Sequence, residues 1–176
     1  MSLIVQDGEP VLRKISIPVP KELFGTPELI GIIDDMAATL NEQLDGVALA
    51  APQIGIPYRI FIVRYDRTIA PTPDGEADHP IDLGVYINPT FVKSSRRRLE
   101  MDEGCLSVRG IYGKTMRNER ATVRAYDVQG VLFERGGGGL LAQIFQHETD
   151  HLNGILFIDH ATDLVEVHKE HHDHTA

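Results

Sequence analysis

The stretch "GGGGLLAQIFQHETDHLNG", residues 136–154, decides how this chain folds and where its chemistry lies. Its apolar and histidine positions recur at spacings of four, three and four, in the stripe Leu140, Ile144, His147 and His151. A neighbouring stripe consists of Leu141, Phe145, Glu148 and Leu152. This periodicity predicts a helix whose wide apolar face carries two histidines and a glutamate. Asn153-Gly154 provides a natural end for that helix.

The two histidines and the glutamate are placed for metal chemistry. Side chains at positions i and i+4 lie above one another on a helix, so His147 and His151 can bind one ion from the same side. Glu148 lies one position round the helix and can reach a water bound to that ion, as in His-Glu-x-x-His metallohydrolases. Such groups are costly on an apolar face unless something pairs them. The alternative is a chance pattern of satisfied core histidines.

A third ligand would strengthen the metal interpretation, and the sequence offers several candidates. They are Cys105 in "DEGCLSV" (102–108), His160, His79 in a polar loop, and the tail residues His168, His171, His172 and His174. Cys105 is the single cysteine, so no intramolecular disulfide is possible. Taken alone, a lone cysteine is more often a buried apolar filler than a ligand. Tail histidines more often bind metal adventitiously.

Length and composition describe an ordinary globular chain. The 176 residues suit one domain, and we predict a catalytic domain over residues 1–165 followed by a polar, His-rich tail over 166–176. The net charge of −9 argues against nucleic-acid binding, and Arg96–Arg98 is interpreted as a solvated strand end or loop. Neither a signal peptide nor a membrane-spanning stretch is visible, and a single cysteine fits a reducing cytoplasm.

The remaining patterns predict both helices and strands. Residues 27–44 show helical periodicity, with Thr26 as the cap and Leu44 on the apolar stripe. Predicted strands are "RIFIVRY" (59–65), "VYINPTFVKSS" (85–95) with Pro89 at a bend or edge, and a hairpin of 121–127 with 131–135, while 70–84 reads as a surface loop. Residues 45–55, "DGVALAAPQIG", read as a loop of small residues that is either a tight crossing or a wall bringing the Gln53 amide against a substrate.

Three segments in order resemble the peptide deformylase family. They are "GVALAAPQ" (46–53), "EGCLS" (103–107) and "QHETDHL" (146–152), and the resemblance covers about residues 5–160. It implies an α+β fold with antiparallel β-sheets packed around a central helix carrying His-Glu-x-x-His, and a long N-terminal helix. It also implies removal of the N-formyl group from the formylmethionine of newly made polypeptides, with release of formate.

The resemblance assigns roles to particular residues. Metal ligands would be Cys105, His147 and His151, with water in the fourth position. That metal-bound water would attack the formyl carbonyl with Glu148 as general acid and base. The Gln53 amide and the backbone N–H of Leu106 would stabilise the oxyanion. The substrate-binding residues implied by motif position are Gly46, Val47, Ala48, Met101, Glu103, Gly104, Arg109, Leu140 and Ile144.

Cofactor and partners follow from the same resemblance. We expect one divalent ion per chain, with Fe²⁺ as the native metal and Zn²⁺, Ni²⁺ or Co²⁺ as possible occupants. The partners would be formyl-Met nascent peptides at the ribosome exit, without direct nucleic-acid or membrane binding. We expect a monomer or weak dimer in a bacterial cytoplasm.

Two other functions remain open at this point. A zincin-type endopeptidase shares His-Glu-x-x-His but takes a downstream third ligand, for which His160 is the candidate, leaving Cys105 idle. A non-catalytic descendant would bind formyl-peptides or hold a structural metal. Ala48, where the family usually has glycine, keeps that alternative open, and Arg109 stands where the family commonly has proline.

Overall fold

The computed structural model describes residues 2–69 and 80–167. Two α-helices, α1 Pro27–Asn41 and α2 Leu140–Leu152, accompany eight strands in this part of the chain. The strands are β1 Ala48–Ala50, β2 Ile60–Arg64, β3 Leu83–Ser94, β4 Arg98–Cys105, β5 Val108–Asn118, β6 Arg120–Tyr126, β7 Leu132–Gly138 and β8 Thr162–Glu166. His79, most of the predicted loop and the tail histidines lie outside the described residues.

The strands form two antiparallel sheets, which confirms the predicted α+β class. One sheet has the order β1-β2-β3-β6-β7 and the other the order β4-β5-β8. Helix α2 packs against β1, β2, β6 and β7 of the first sheet and against β5 of the second. Phe145 of α2 is fully buried beside the stacked rings of Phe61 and Tyr86. The helix that carries the two histidines is therefore anchored in an apolar core cluster.

Helix α1 begins as predicted and ends three residues earlier. The Thr26 hydroxyl accepts a hydrogen bond from the Leu29 N–H at 3.3 Å, which confirms the cap. Beyond Asn41 the chain turns away, and the Arg67 guanidinium donates hydrogen bonds to the carbonyls of Leu40, Gln43 and Gly46. Because this cation binds carbonyls at the helix end, the turn is stabilised there. The placement of Leu44 on the apolar stripe was wrong, since its side chain is 94% exposed.

The segment 45–55 contains a strand, which corrects the prediction of a loop. Ala48, Leu49 and Ala50 form β1 and pair antiparallel with Val63, Ile62 and Phe61 of β2. Small residues with low strand propensity give no local signal for this, so the pairing with a buried neighbour decides it. The tight-crossing interpretation of the segment is supported at Gly46, where a Cβ would lie 2.9 Å from Leu40 Cδ1.

The other strand predictions are confirmed with small shifts of their ends. All five residues of β2 are buried, as expected for an apolar strand inside the sheet. Strand β3 lies between β2 and β6, and its register shifts between Ile87 and Thr90. Pro89 therefore sits at a bulge, where a missing N–H is tolerated. The β6–β7 hairpin pairs from Tyr126↔Leu132 to Arg120↔Gly138.

The β4–β5 hairpin presents the cysteine at its turn. Cys105 is the last residue of β4 and pairs with Val108 after a register shift at Gly104. Gly104 lies opposite Tyr112, and a Cβ on it would come within 2.8 Å of that ring. A glycine before the cysteine is thus required by a close approach between the two strands.

Strand β8 was not expected from the sequence. It pairs antiparallel with β5, Ile111 opposite Glu166 and Tyr112 opposite Val165. Glu166 falls within the predicted tail, and the division at 165/166 remains a prediction. Neither α1 nor α2, the helices of the described ranges 2–69 and 80–167, is long and apolar enough to span a membrane.

The ion pair of Arg64 and Asp66 makes the stability of the folded protein depend on pH in the acid range. The Arg64 guanidinium donates two hydrogen bonds to the Asp66 carboxylate, at 2.9 and 2.7 Å, and Asp66 is only 8% exposed. These bonds lower the pKa of Asp66 from 3.8 to about 2. Because the pKa of Asp66 is lower in the folded than in the unfolded protein, the ion pair stabilises the fold fully at pH values above the pKa of the unfolded chain. This stabilisation is lost as the pH falls through the pKa of the folded protein. At pH 7 it amounts to about 2 kcal/mol.

We therefore expect the free energy of unfolding to change less with pH in the acid range in Asp66→Asn than in wild type. The difference in unfolding free energy between wild type and Asp66→Asn should shrink by about 1 kcal/mol between pH 7 and pH 3, because Asp66 becomes protonated in the unfolded chain while it stays mostly ionised in the folded protein. Urea denaturation of both proteins at the two pH values measures this. Equal pH dependence in the two proteins would contradict the assignment.

Candidate active site

Three potential ligand atoms converge where α2 meets the β4–β5 turn. The sulfur of Cys105 lies 3.3 Å from His151 Nε2, and the two Nε2 atoms of His147 and His151 are 3.2 Å apart. All three ligand atoms lie within 4.8 Å of one another. Within residues 2–69 and 80–167, this is the only such cluster of three or more potential ligands. The structure thus joins the helix motif to the distant cysteine.

The geometry of this cluster fits a single metal ion. Metal–nitrogen bonds of about 2.0 Å and metal–sulfur bonds of about 2.3 Å imply ligand separations of roughly 3.3–3.6 Å in a tetrahedron. Two of the three separations, 3.2 and 3.3 Å, are close to those values, and the third is within 4.8 Å. One thiolate and two imidazoles are also a donor set that suits Zn²⁺, Fe²⁺, Co²⁺ and Ni²⁺. Burial lowers the pKa of His151, which favours the neutral, ligating imidazole.

A buried carboxylate orients His147 from behind. Glu103 Oε1 lies 2.6 Å from His147 Nδ1, which favours the proton on Nδ1 and leaves the Nε2 lone pair facing the cluster. Glu103 also accepts hydrogen bonds from Arg117 and from the Thr115 hydroxyl, and Gln143 lies within 3.4 Å. Burial by itself would raise the pKa of Glu103, but the bonds to His147 and Arg117 lower it, so Glu103 is ionised.

Glu148 is buried beside the cluster and incompletely satisfied. Its side chain is 4% exposed, and its Oε2 has no hydrogen-bond partner among the described residues. Burial raises the pKa of Glu148 to about 7. A nearby cation would lower that pKa, since it favours the ionised form. The carboxyl borders the site cavity, so a water or substrate group can provide the missing partner.

Gln53 is held with its amide nitrogen towards the cysteine. Its Oε1 accepts a hydrogen bond from the Ala50 N–H at 2.8 Å, which fixes the orientation of the side chain. Its Nε2 donates to the Ser107 hydroxyl at 3.2 Å and lies 3.6 Å from Cys105 Sγ. Leu106 lies in the same β4–β5 turn and borders the cavity. A neutral amide donor is therefore present beside the cluster.

A cavity of about 250 Å³ opens above these groups. Its lining includes eight of the nine residues assigned to substrate binding from the sequence: Gly46, Val47, Ala48, Glu103, Gly104, Arg109, Leu140 and Ile144. Met101 is not part of the lining. It lies two residues before Glu103 on β4, about 7 Å further along the strand. The Glu103 side chain contacts His147 rather than open space, so its placement indicates support of a ligand.

Sequence reasoning missed several residues around the site. Arg117 and Thr115 lie on β5 opposite β4, and nothing local in the sequence connects them with Glu103. Gln143 could have been found, because it lies four residues before His147 on the same helix face. It donates a hydrogen bond to the Asp102 carbonyl at 2.8 Å. His160 is not in the cluster and lies 3.5 Å from Asp150.

The fold and the site together define a class of protein. Antiparallel sheets hold a helix with His-Glu-x-x-His against a cysteine turn, a buried carboxyl lies beside the ligand cluster, and a cavity opens onto both. These are the parts of a metal-dependent hydrolase.

Comparison with known proteins identifies the family. The family model for polypeptide deformylase matches residues 1–167. The peptide deformylase of Dehalococcoides mccartyi is 38% identical over 161 residues, covering 92% of this chain and 86% of the relative. Two structures of the class I type b peptide deformylase from Acinetobacter baumannii are also similar to this chain.

The form of that enzyme with Met-Ala-Ser bound has a TM-score of 0.79 at 36% identity, covering 90% of this chain and 98% of the other. The actinonin-bound form has a TM-score of 0.80 at 33% identity, covering 92% and 99%. The chain belongs to the peptide deformylase family.

Proposed function

We propose how this chain carries out the activity of its family, the hydrolytic removal of the formyl group from the N-terminal formylmethionine of newly made polypeptides. The chain is a peptide deformylase, a hydrolase that acts in protein synthesis. The observation that carries the assignment of its site is the convergence of Cys105, His147 and His151 beside the buried carboxyl of Glu148. The roles below follow from that arrangement.

Cys105, His147 and His151 would hold one divalent metal ion. When bound, this ion activates a water molecule and polarises the formyl carbonyl. We propose Fe²⁺ as the native ion, with Zn²⁺, Ni²⁺ or Co²⁺ able to occupy the same donors. Glu103 supports the site by holding His147 in the ligating orientation, and Arg117 holds Glu103 in turn.

Glu148 is the proposed general acid and base. Glu148 lines the cavity and its Oε2 has no hydrogen-bond partner among the described residues, so this carboxyl can accept the proton of the attacking water. The same carboxyl then delivers the proton to the leaving amine of the methionine. Burial favours the protonated carboxyl, since it raises the pKa of Glu148 to about 7 in the absence of a metal ion, and a bound cation favours the ionised carboxylate.

Gln53 and Leu106 are the proposed donors to the oxygen that gains charge during attack. The Gln53 amide is fixed by Ala50, so donation costs little reorganisation. Leu106 would contribute its backbone N–H from the β4–β5 turn. Each such donor is worth roughly 3–4 kcal/mol of barrier in comparable enzymes.

The cavity is proposed to bind the start of a peptide. Val47, Leu140 and Ile144 provide apolar surface for the methionine side chain. Strand β1 is an edge strand of its sheet, so the peptide backbone can pair along residues 46–48 and approach residues 108–110 from the other side. The Met-Ala-Ser peptide bound by the Acinetobacter enzyme supports this mode. Acetyl-methionine would be rejected sterically, because its extra methyl group meets a closed site.

The partners and the location of this protein are proposed from its membership of the family. The substrates would be formyl-Met nascent peptides at the ribosome exit, in a bacterial cytoplasm. A monomer or weak dimer suffices, because the ligand cluster and the cavity come from one chain. Residues 1–165 would form the single catalytic domain.

Formate release from formyl-Met-Ala-Ser should be rapid with protein prepared without oxygen. Acetyl-Met-Ala-Ser should release no acetate under the same conditions. Metal analysis of the same sample should find about one ion per chain, since the cluster holds one ion. Enzymatic quantification of formate and elemental analysis are the measurements.

Other outcomes of this experiment would support the alternative functions. A fully metallated protein that binds formyl-Met-Ala-Ser without releasing formate would be a binding protein. Cleavage inside a casein chain with blocked N-termini would indicate an endopeptidase. The structure does not favour the endopeptidase, since Cys105 is in the cluster and His160 is not.

A further inference from the structure

An ion pair spans two walls at the rim of the site. Arg109, in β5, donates hydrogen bonds from Nη1 to Asp45 Oδ2 at 3.0 Å and Oδ1 at 3.3 Å. Its Nη2 donates to the side-chain oxygen of Gln43. Asp45 and Gln43 belong to the turn that follows α1, which is remote from Arg109 in sequence. Arg109 therefore faces that turn across the rim.

This pair lies where the site cavity continues into a second groove. Asp45, Arg109, Gly110 and Tyr112 line both the cavity above the ligand cluster and the neighbouring groove. The groove is completed by Glu42, Gln43, Leu44 and Val167. A peptide whose first residue occupies the cavity must leave it across the rim. The side chains that follow the methionine therefore pass beside the pair.

Charge is distributed unevenly among the residues that line these two spaces. Arg109 is their only arginine or lysine in the described part of the chain, whereas Glu42, Asp45 and Asp102 are acidic and near the surface. Without Arg109 the rim would repel a peptide carrying a carboxylate. Arg109 is thus the group that can attract such a carboxylate at the rim.

The pair is also able to exchange partners. The side chains of Arg109 and Asp45 are 43% and 63% exposed, and exposed pairs hold weakly. A guanidinium presents a planar fork that binds any suitably placed carboxylate with two parallel hydrogen bonds. A glutamate or aspartate of the peptide can therefore replace Asp45 on Arg109 at little cost.

We propose that Arg109 is a specificity-determining residue that admits peptides with an acidic side chain shortly after the formylmethionine, with Asp45 as its internal competitor. This inference rests on the proposed function, since it concerns the same peptide. Arg109 takes no part in the hydrolysis itself. Its effect is on binding, so it changes KM rather than kcat.

Matched peptides test this directly. Two matched pairs of peptides serve as substrates. The first pair is formyl-Met-Ala-Glu-amide and formyl-Met-Ala-Gln-amide. In the second pair the Glu or Gln stands directly after the methionine. The terminal amide leaves one carboxylate at most. The ratio of kcat/KM for the Glu peptide to that for the Gln peptide is measured in wild type, Arg109→Gln and Asp45→Asn, each loaded with the same metal.

The proposal predicts a fixed order of this ratio. It should fall about three- to fivefold in Arg109→Gln, through KM, and rise above wild type in Asp45→Asn, where the competitor is gone. Asp45→Asn should raise the ratio less in the Arg109→Gln background than in wild type, because no competitor is then removed and only the repulsion by one carboxylate is relieved. Salt near 1 M should reduce all differences.

A control pair separates local from general charge effects. Arg124 and Glu134 form a similarly exposed ion pair on β6 and β7, outside the lining of both spaces. Arg124→Gln removes the same charge and should leave the ratio unchanged. A ratio that is equal in wild type, Arg109→Gln and Asp45→Asn for both peptide pairs would overturn the proposal. Absence of formate release from every peptide would instead contradict the proposed function.

Discussion

Replacing Glu148 by alanine should reduce formate release by a factor of at least about 10²–10⁴, the usual contribution of a general acid–base group. The metal content should stay near that of wild type, because the ligands in the proposed site are Cys105, His147 and His151. The loss should appear in kcat, since proton transfer occurs only in the transition state. Steady-state kinetics with formyl-Met-Ala-Ser and elemental analysis of the same preparation measure both quantities.

Glu148→Gln provides the matched variant. It keeps the volume of the buried side chain and removes its ability to accept a proton, so its activity should be as low as that of Glu148→Ala. Glu134→Gln removes a carboxylate from an exposed position and should leave turnover unchanged. Substantial turnover by a fully metallated Glu148→Gln protein would disprove the acid–base assignment.

Removing Arg117 should have the largest effect on stability. Its guanidinium is 6% exposed and pairs with both Glu103 and Asp150. In Arg117→Met the Glu103 carboxylate stays buried with fewer donors, and we expect a loss of about 3–5 kcal/mol in the free energy of unfolding. Urea denaturation of the metal-free proteins measures this. Since Glu103 also orients His147, metal affinity should fall by about 10–100-fold, as measured by competition with a chelator.

The double variant Glu103→Gln/Arg117→Met tests the cause of that loss. The neutral amide that replaces the Glu103 carboxylate needs no buried cation, so the double variant should be more stable than Arg117→Met alone. The oxygen of that amide can still accept the hydrogen bond from His147. If the destabilisation by the two substitutions is simply additive, the two side chains do not act as a buried pair.

Local patterns in the sequence were sufficient for the elements whose stability depends on near neighbours. The Thr26 cap and the β6–β7 hairpin were predicted from residues within a few positions of one another. The spacing of His147 and His151 likewise made their convergence a property of any helix at this position. Cys105 differs, because its role came from a resemblance to a family and its position from the β4–β5 turn.

Other features could only be decided when distant segments were placed together. β1 is a strand because β2 lies beside Ala48–Ala50, although its small residues have little strand propensity. Leu44 is exposed because Arg67 binds the carbonyls of Leu40 and Gln43 at the end of α1, 24 or more positions away in sequence.

The division between sequence and tertiary structure is clearest in the site. By its own pattern, the sequence determined a helix with two imidazoles and a carboxylate on its apolar face, because helical spacing is a local property. The pairing of β4 with β5 places Arg117 opposite Leu99 and on the same face as Glu103, so that its side chain reaches the Glu103 carboxylate. Glu103 in turn supports His147, while Met101 lies outside the cavity. The packing of the turn after α1 against β5 brought Asp45 to Arg109. Such contacts depend on strand pairing and packing over long sequence separations, for which no local spacing rule exists.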